Sequence, residues 1–223
     1  MNLHNLFFQK KILKWFQTNA RAFEWRKETD PYRILIAEIM LQRTRAEQVS
    51  PVYSEFIKEF QDLASITATD KKKVAKYFKK LGLFWRCNSV MTMAKYILEK
   101  YNGIIPVSRI KLLKIPSIGE YISNAILVFA FNQRITVVDS NVVRLVSRFF
   151  EFNNVRGETR RNKLFNEFCQ KLVMDLEPSE IKNFNWGLID FAHAICKPIP
   201  ECSKCPLSGE CMYFKAMFNK IKK

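Results

Sequence analysis

Residues 112–150 read LLKIPSIGEYISNAILVFAFNQRITVVDSNVVRLVSRFF, and the fold turns on them. After Gly119, the residues Ile122, Ala125, Ile126, Phe129 and Ala130 recur at i, i+3, i+4, i+7 and i+8. That spacing lays one apolar stripe along a helix. Val142, Leu145, Val146, Phe149 and Phe150 repeat it one helix later. Ahead of the first stripe, Pro116 ends a short helical pattern, and Gly119 lets the backbone come close to something outside. Such a joint leaves free amides at the start of the second helix, an anion site suited to a phosphate. An ordinary helical hairpin also carries Pro and Gly between its helices, so the joint alone leaves both readings open.

The rest of the chain is patterned the same way. Apolar periodicity predicts helices over about 6–18, from Pro31, and around 47–59, 70–80, 88–100, 107–114, 159–175 and 179–195. The β-like stretch Arg134–Val138 is too short and solitary to make a sheet. The expected fold class is all-α.

Composition narrows the partners. Among 223 residues, 37 Lys and Arg face 21 Asp and Glu, a net charge of +16. An excess of that size implies a polyanion, most often nucleic acid. The longest strictly apolar run, Ala125–Phe131, is far short of a membrane span. The N-terminal Leu6-Phe7-Phe8 is followed at once by Gln9-Lys10-Lys11, which argues against a signal peptide, and a cytoplasmic location is expected. Four of the six cysteines form Cys196-x5-Cys202-x2-Cys205-x5-Cys211, whereas Cys87 and Cys169 stand alone. A compact quartet in a reducing compartment reads as a metal or cluster site, and thiolates suit zinc and iron–sulfur equally.

Single residues carry further readings. Asp139 stands where a helix begins, the place of an N-cap aspartate. Asn141 suits a local turn partner, and Arg144 and Arg148 a solvated i, i+4 face. Glu38 is the sole charge in Ile34–Leu41. A carboxylate there is costly unless paired or facing a cleft, and a buried acid is a general-acid candidate; a surface glutamate on a helix edge competes with that reading. Phe84 and Trp85 suit either a wedge between bases or core packing.

With these residues in view, the 112–150 run resembles the helix-hairpin-helix, Gly/Pro-rich loop and aspartate signature of the endonuclease III superfamily of DNA glycosylases. WRKETDPYRILIAEIMLQRT (25–44) and FNWGLIDFAHAIC (184–196) are similar to flanking blocks of its mismatch-acting branch. The family hairpin usually reads Leu-Pro-Gly-Val-Gly, and Ser117 stands in place of its first glycine. That exchange is compatible if the serine's torsions are ordinary. The first cysteine gap is usually six residues and here is five.

The resemblance implies two helical lobes, a six-helix lobe at 27–132 with the hairpin and a discontinuous lobe of 1–26 and 133–223. DNA would cross the cleft between them, with the target nucleotide swung out of the duplex. Cys196, Cys202, Cys205 and Cys211 would ligate a 4Fe–4S cluster. Ser117, Ile118, Gly119 and Arg144 would contact the DNA backbone, while Gln42 and Arg43 fill the vacated stack or touch the orphan base. Asp139 would stabilise the cationic sugar and help activate water oriented by Asn141, and Glu38 would act at the departing base. Lyases of the family carry a lysine at position 121, because an amine can form the Schiff base needed for strand cleavage; Tyr121 has none, and resembles the thymine glycosylases.

The implied activity is therefore monofunctional excision of thymine or uracil opposite guanine, by a monomer acting on double-stranded DNA. The alternatives are an adenine glycosylase acting opposite guanine or oxidised guanine, a non-catalytic DNA-binding protein that keeps its cluster as a clip, and a zinc module. The adenine branch usually adds a further C-terminal domain, so the end at Lys223 favours pyrimidine removal.

Overall fold

The computed structural model describes residues 2–152 and 162–221, which contain helices and connections but no strand. The helices are α1 (Leu3–Asn19), α2 (Pro31–Leu41), α3 (Ala46–Glu59), α4 (Leu63–Thr67), α5 (Lys71–Lys80), α6 (Arg86–Tyr101), α7 (Arg109–Leu112), α8 (Glu120–Phe129), α9 (Ser140–Phe150), α10 (Lys163–Lys171), α11 (Ile181–Ala194) and α12 (Met212–Ile221). They fall into two compact units, one of residues 22–131 and one of 1–21 with 132–223. The first holds seven α-helices, α2–α8, and the short 3-10 helix Glu24–Arg26; α4 and α7 are only five and four residues long.

Local chemistry sets these boundaries. Pro31 opens α2 with Asp30 as cap, its carboxylate accepting from the Tyr32 amide at 2.9 Å. Asp70 caps α5 through the Lys72 amide at 2.8 Å. The pattern over 107–114 forms only the single turn α7. Pro116 disfavours the α conformation at Ile115, so the Lys114 and Ile115 amides turn back to Lys111 O and Leu112 O at 3.2 and 3.0 Å. α4, a single turn built on the Asp62–Ser65 capping box, is too short to register as a period. The pattern over 159–175 becomes Lys163–Lys171, and residues 159–161 lie outside the described residues.

In the 22–131 unit, α2 packs on α3 and α8, and α6 takes α4 and α5. Leu35, Ile36, Phe56, Phe78, Ile97 and Ile126 are buried there. In the other unit α11 is central, packed on α1 and α9. The ring of Phe8 lies 4.8 Å from Phe149 and 6.3 Å from Phe184. Gly187 makes the α1–α11 approach possible, since a Cβ there would stand 2.9 Å from Ile12 Cγ2. The buried Asp190 of α11 pairs with Arg21 Nε at 2.7 Å and accepts from the Arg21 amide at 3.1 Å, which pins the chain beyond α1.

Candidate active site and cysteine cavity

Between α7 and α8, residues 115–118 form a turn closed by the Ile118 amide donating to Ile115 O at 3.1 Å. Pro116 occupies its second position and Ser117 its third, with φ +68°; Pro followed by a positive φ is the type II pattern. The torsion at Ser117 is thus left-handed, so the condition of ordinary torsions is not met, and this explains why a glycine suits the position. Ile118 differs from expectation too. Its side chain is 5% exposed and its amide is spent inside the turn, so it offers neither to an outside phosphate.

Gly119 caps α8 in an extended conformation, φ −96°, with no side chain to accept from the helix's first amides. A Cβ at Gly119 would meet nothing within 4 Å, so neither torsion nor internal packing demands glycine there. Open approach to the helix start is what the glycine preserves. Glu120 would place a negative charge at that start, and Arg109 of α7 pairs with it. Tyr121, in the first turn of α8, is half-buried and stands off the buried stripe of Ile122, Ala125 and Ile126.

Glu38 is 4% exposed within α2, which removes the reading as a surface glutamate. Past the end of α2, Gln42 (φ −63°, ψ 115°) and Arg43 (φ +61°) form a second turn with a left-handed third residue, its Thr44 amide reaching Leu41 O at 3.3 Å. Arg43 is exposed. Phe84 and Trp85 are 65% and 52% exposed, so they do not pack in the core. Arg86, next along, donates from Nη1 to Ile39 O at 2.6 Å, which ties the Phe84–Trp85 loop to the last turn of α2. Burial, and then the charge of Arg43, hold the Arg86 guanidinium below its usual range.

Asp139 is the N-cap of α9: Oδ1 accepts from the Val142 amide at 2.7 Å, and Oδ2 from Asn141 Nδ2 at 2.8 Å. The cap leaves Asp139 partly exposed. Asn141 Oδ1 accepts from Arg144 Nη2 at 3.0 Å. Arg144 also donates from Nε to Cys196 O at 2.8 Å and from Nη2 to Ala192 O at 3.1 Å. This arginine, expected at DNA phosphates or on a solvated face, is therefore bound to main-chain carbonyls of its own unit. The extended stretch before Asp139 forms no strand because a side chain supplies its partners. Asn185 Oδ1 accepts from the Val137 amide at 2.7 Å, and Asn185 Nδ2 donates to Ile135 O at 3.0 Å.

Cys196, Cys202, Cys205 and Cys211 line one cavity together with Arg148, Leu207 and Tyr213. They are not in disulfides. Among the described residues, no group of three or more His, Cys, Asp or Glu is arranged to hold a single metal ion. Burial pushes the Cys205 thiol up to about 11 and raises those of Cys202 and Cys211. A metal group bound there would have to displace the protons of these three thiols.

A family model for HhH-GPD superfamily base excision DNA repair proteins matches residues 36–171. The chain belongs to this superfamily. It is a DNA glycosylase. It is 34% identical over 212 residues to a thymine/uracil-DNA glycosylase of Methanothermobacter thermautotrophicus, covering 93% of each chain. It is 32% identical to an adenine DNA glycosylase of Buchnera aphidicola, of which it spans 58%. Among solved structures, a thermostable thymine-DNA glycosylase superposes with a TM-score of 0.90 at 33% identity, over 96% of this chain and 98% of that one. A non-covalent endonuclease III–DNA complex shares the fold, with a TM-score of 0.78 at 21% identity.

Within this HhH-GPD chain, three residues that shape the site are not evident from sequence. Asn185 lies in an apolar helix, where a buried amide is itself a signal of main-chain pairing. Arg86 and Arg148 bear charge in loops and faces that composition counts as solvated, and their carbonyl partners lie 47 and 49 residues away in sequence.

Proposed function

We propose that this DNA glycosylase hydrolyses the N-glycosidic bond of thymine or uracil mispaired with guanine in double-stranded DNA, acting as a single chain without strand cleavage. The observation that carries this reading is Tyr121 in the open first turn of α8. It occupies the place where an amine would make a lyase, and it has no amine. The names of relatives matched over more than nine-tenths of both chains support the pyrimidine assignment.

The roles rest on the family resemblance, and the local geometry supports them. The hairpin receives a backbone phosphate at the amides capped by Gly119, with Ser117 shaping the turn and Ile118 anchoring it. Gln42 and Arg43 address the orphan base. Glu38, buried in α2, delivers a proton or positions water at the departing base. As the glycosidic bond breaks, the sugar gains positive charge, and the Asp139 carboxylate stabilises it and helps activate the attacking water. Asn141 orients Asp139, and Arg144 orients Asn141.

The quartet is suited to a 4Fe–4S cluster, held by Cys196, Cys202, Cys205 and Cys211. Four cysteine thiols are a donor set that iron–sulfur clusters take, and the family resemblance favours that group over zinc. Such a cluster would serve as a clip for its loop and take no part in the chemistry on the base.

The deciding experiment is a panel of duplexes carrying T:G, U:G, A:G and A opposite oxidised guanine, assayed for abasic product with and without alkali. Base release from T:G or U:G, with strand breaks only after alkali, is expected. Release confined to the adenine duplexes would move the protein to the adenine glycosylases, the reading favoured by the Buchnera relative.

A further inference from the structure

Arg148 stands one turn beyond Arg144 on α9, and its guanidinium works as a fork on the segment after Cys196. Nη1 donates to Lys197 O at 2.6 Å and lies 3.6 Å from Cys196 Sγ, while Nη2 donates to Pro198 O at 2.8 Å. The guanidinium carbon sits 4.9 Å from the centre of the Tyr213 ring. The main-chain carbonyl of Arg148 is 3.6 Å from Cys211 Sγ. One residue thus touches both the first and the last cysteine of the quartet.

The five residues between Cys196 and Cys202 are closed by the Glu201 amide, which donates to Ile195 O at 3.0 Å, and by the Lys197–Glu201 ion pair, but neither reaches the carbonyls of Lys197 and Pro198 that Arg148 holds. Two of the five are prolines, which lack amide donors, and Ile199 between these is 88% exposed. Carbonyls of such a segment need donors from elsewhere, and a planar guanidinium can serve two of them and a sulfur together. A lysine, a single point charge on a flexible stem, cannot span the three.

We propose that Arg148 is the positioning residue that holds the short Cys196–Cys202 segment in the shape needed to retain an iron–sulfur cluster. The inference rests on the cluster reading of the quartet. Its test uses the full chain, purified without oxygen, as wild type and as Arg148→Met, Arg148→Lys and Arg134→Met. Iron and sulfide per chain and visible absorption are measured first. The rate of iron release to a ferrous chelator follows, well below each melting temperature.

Wild type without iron overturns the cluster reading, and this inference with it. With iron-loaded wild type, Arg148→Met and Arg148→Lys should both release iron about ten- to a hundredfold faster. Arg134 likewise donates to two carbonyls of its own unit, those of Met174 and Leu176, and Arg134→Met should leave the rate unchanged. Wild-type rates in both Arg148 variants overturn the inference. So does equal acceleration in Arg134→Met, which would mean general loosening, and so does full rescue by lysine, which would mean that charge suffices. Should Arg148→Met fail to fold, Arg148→Lys decides the matter.

Discussion

Arg144 Nη2 donates to Asn141 Oδ1 at 3.0 Å, and this one bond decides which way the Asn141 amide faces. With its oxygen held by a guanidinium, Asn141 must present nitrogen to the Asp139 carboxylate; a flipped amide would set oxygen against oxygen. Arg144 is itself held by Ala192 O and Cys196 O. The orientation of the catalytic candidate therefore depends on the main chain beside the first cysteine.

Arg144→Met should slow base release about a hundredfold in single turnovers at saturating enzyme, the scale of a misplaced group. The salt dependence of duplex binding should hold, because Arg144 makes no phosphate contact in this arrangement. A salt slope reduced by about one, with normal base release, would return Arg144 to the DNA contacts.

Asp139→Asn separates cap from catalyst. Asparagine caps helices about as well as aspartate, so the melting temperature should barely move. Removing the negative charge should lower base release by roughly two to three orders of magnitude. Preserved release from a T:G duplex would show that Asp139 is only a cap.

Ser117→Gly should stabilise the protein by about 1 kcal/mol, relieving a left-handed torsion that costs an L-residue about that much. For a chain of this size the melting temperature would rise by roughly 2–4 °C. A scanning calorimetry trace without such a rise would contradict the strain assigned to the hairpin turn.

Gly119→Ala tests what the glycine is for. Its backbone conformation is open to any residue, and the added methyl meets nothing, so circular dichroism and melting should match wild type. Affinity for duplex DNA should nevertheless fall, because the methyl would stand where a phosphate approaches. Equal affinity would mean that this helix start is not a phosphate site.

Tyr121→Lys should confer strand cleavage without alkali and a borohydride-trapped covalent adduct with abasic DNA. Absence of the adduct, in a variant that still folds and binds duplex, would place residue 121 away from the sugar.

Most helices are legible in the sequence, because periodicity is a local property: the stripes after Gly119 and Asp139 are α8 and α9 as expected. α4 is not, since five residues are too few for a period. α7 is shorter than its apolar pattern because the pull of Pro116 on Ile115 outweighs that pattern. Asp139, Tyr121 and the cysteines are visible as chemical types at telling intervals. The surroundings of Glu38, Phe84 and Trp85 are not, since burial depends on which helix lies opposite.

Residue types and spacing alone set the all-helical class, the joint between α7 and α8, the basic balance and the quartet, since each depends on neighbours within a few positions of the chain. Tertiary structure alone committed Arg144 and Arg148 to carbonyls about fifty residues away and drew four cysteines around one cavity. Those outcomes depend on which donors fall within about 3 Å of which acceptors, and only the packed chain brings such distant groups together.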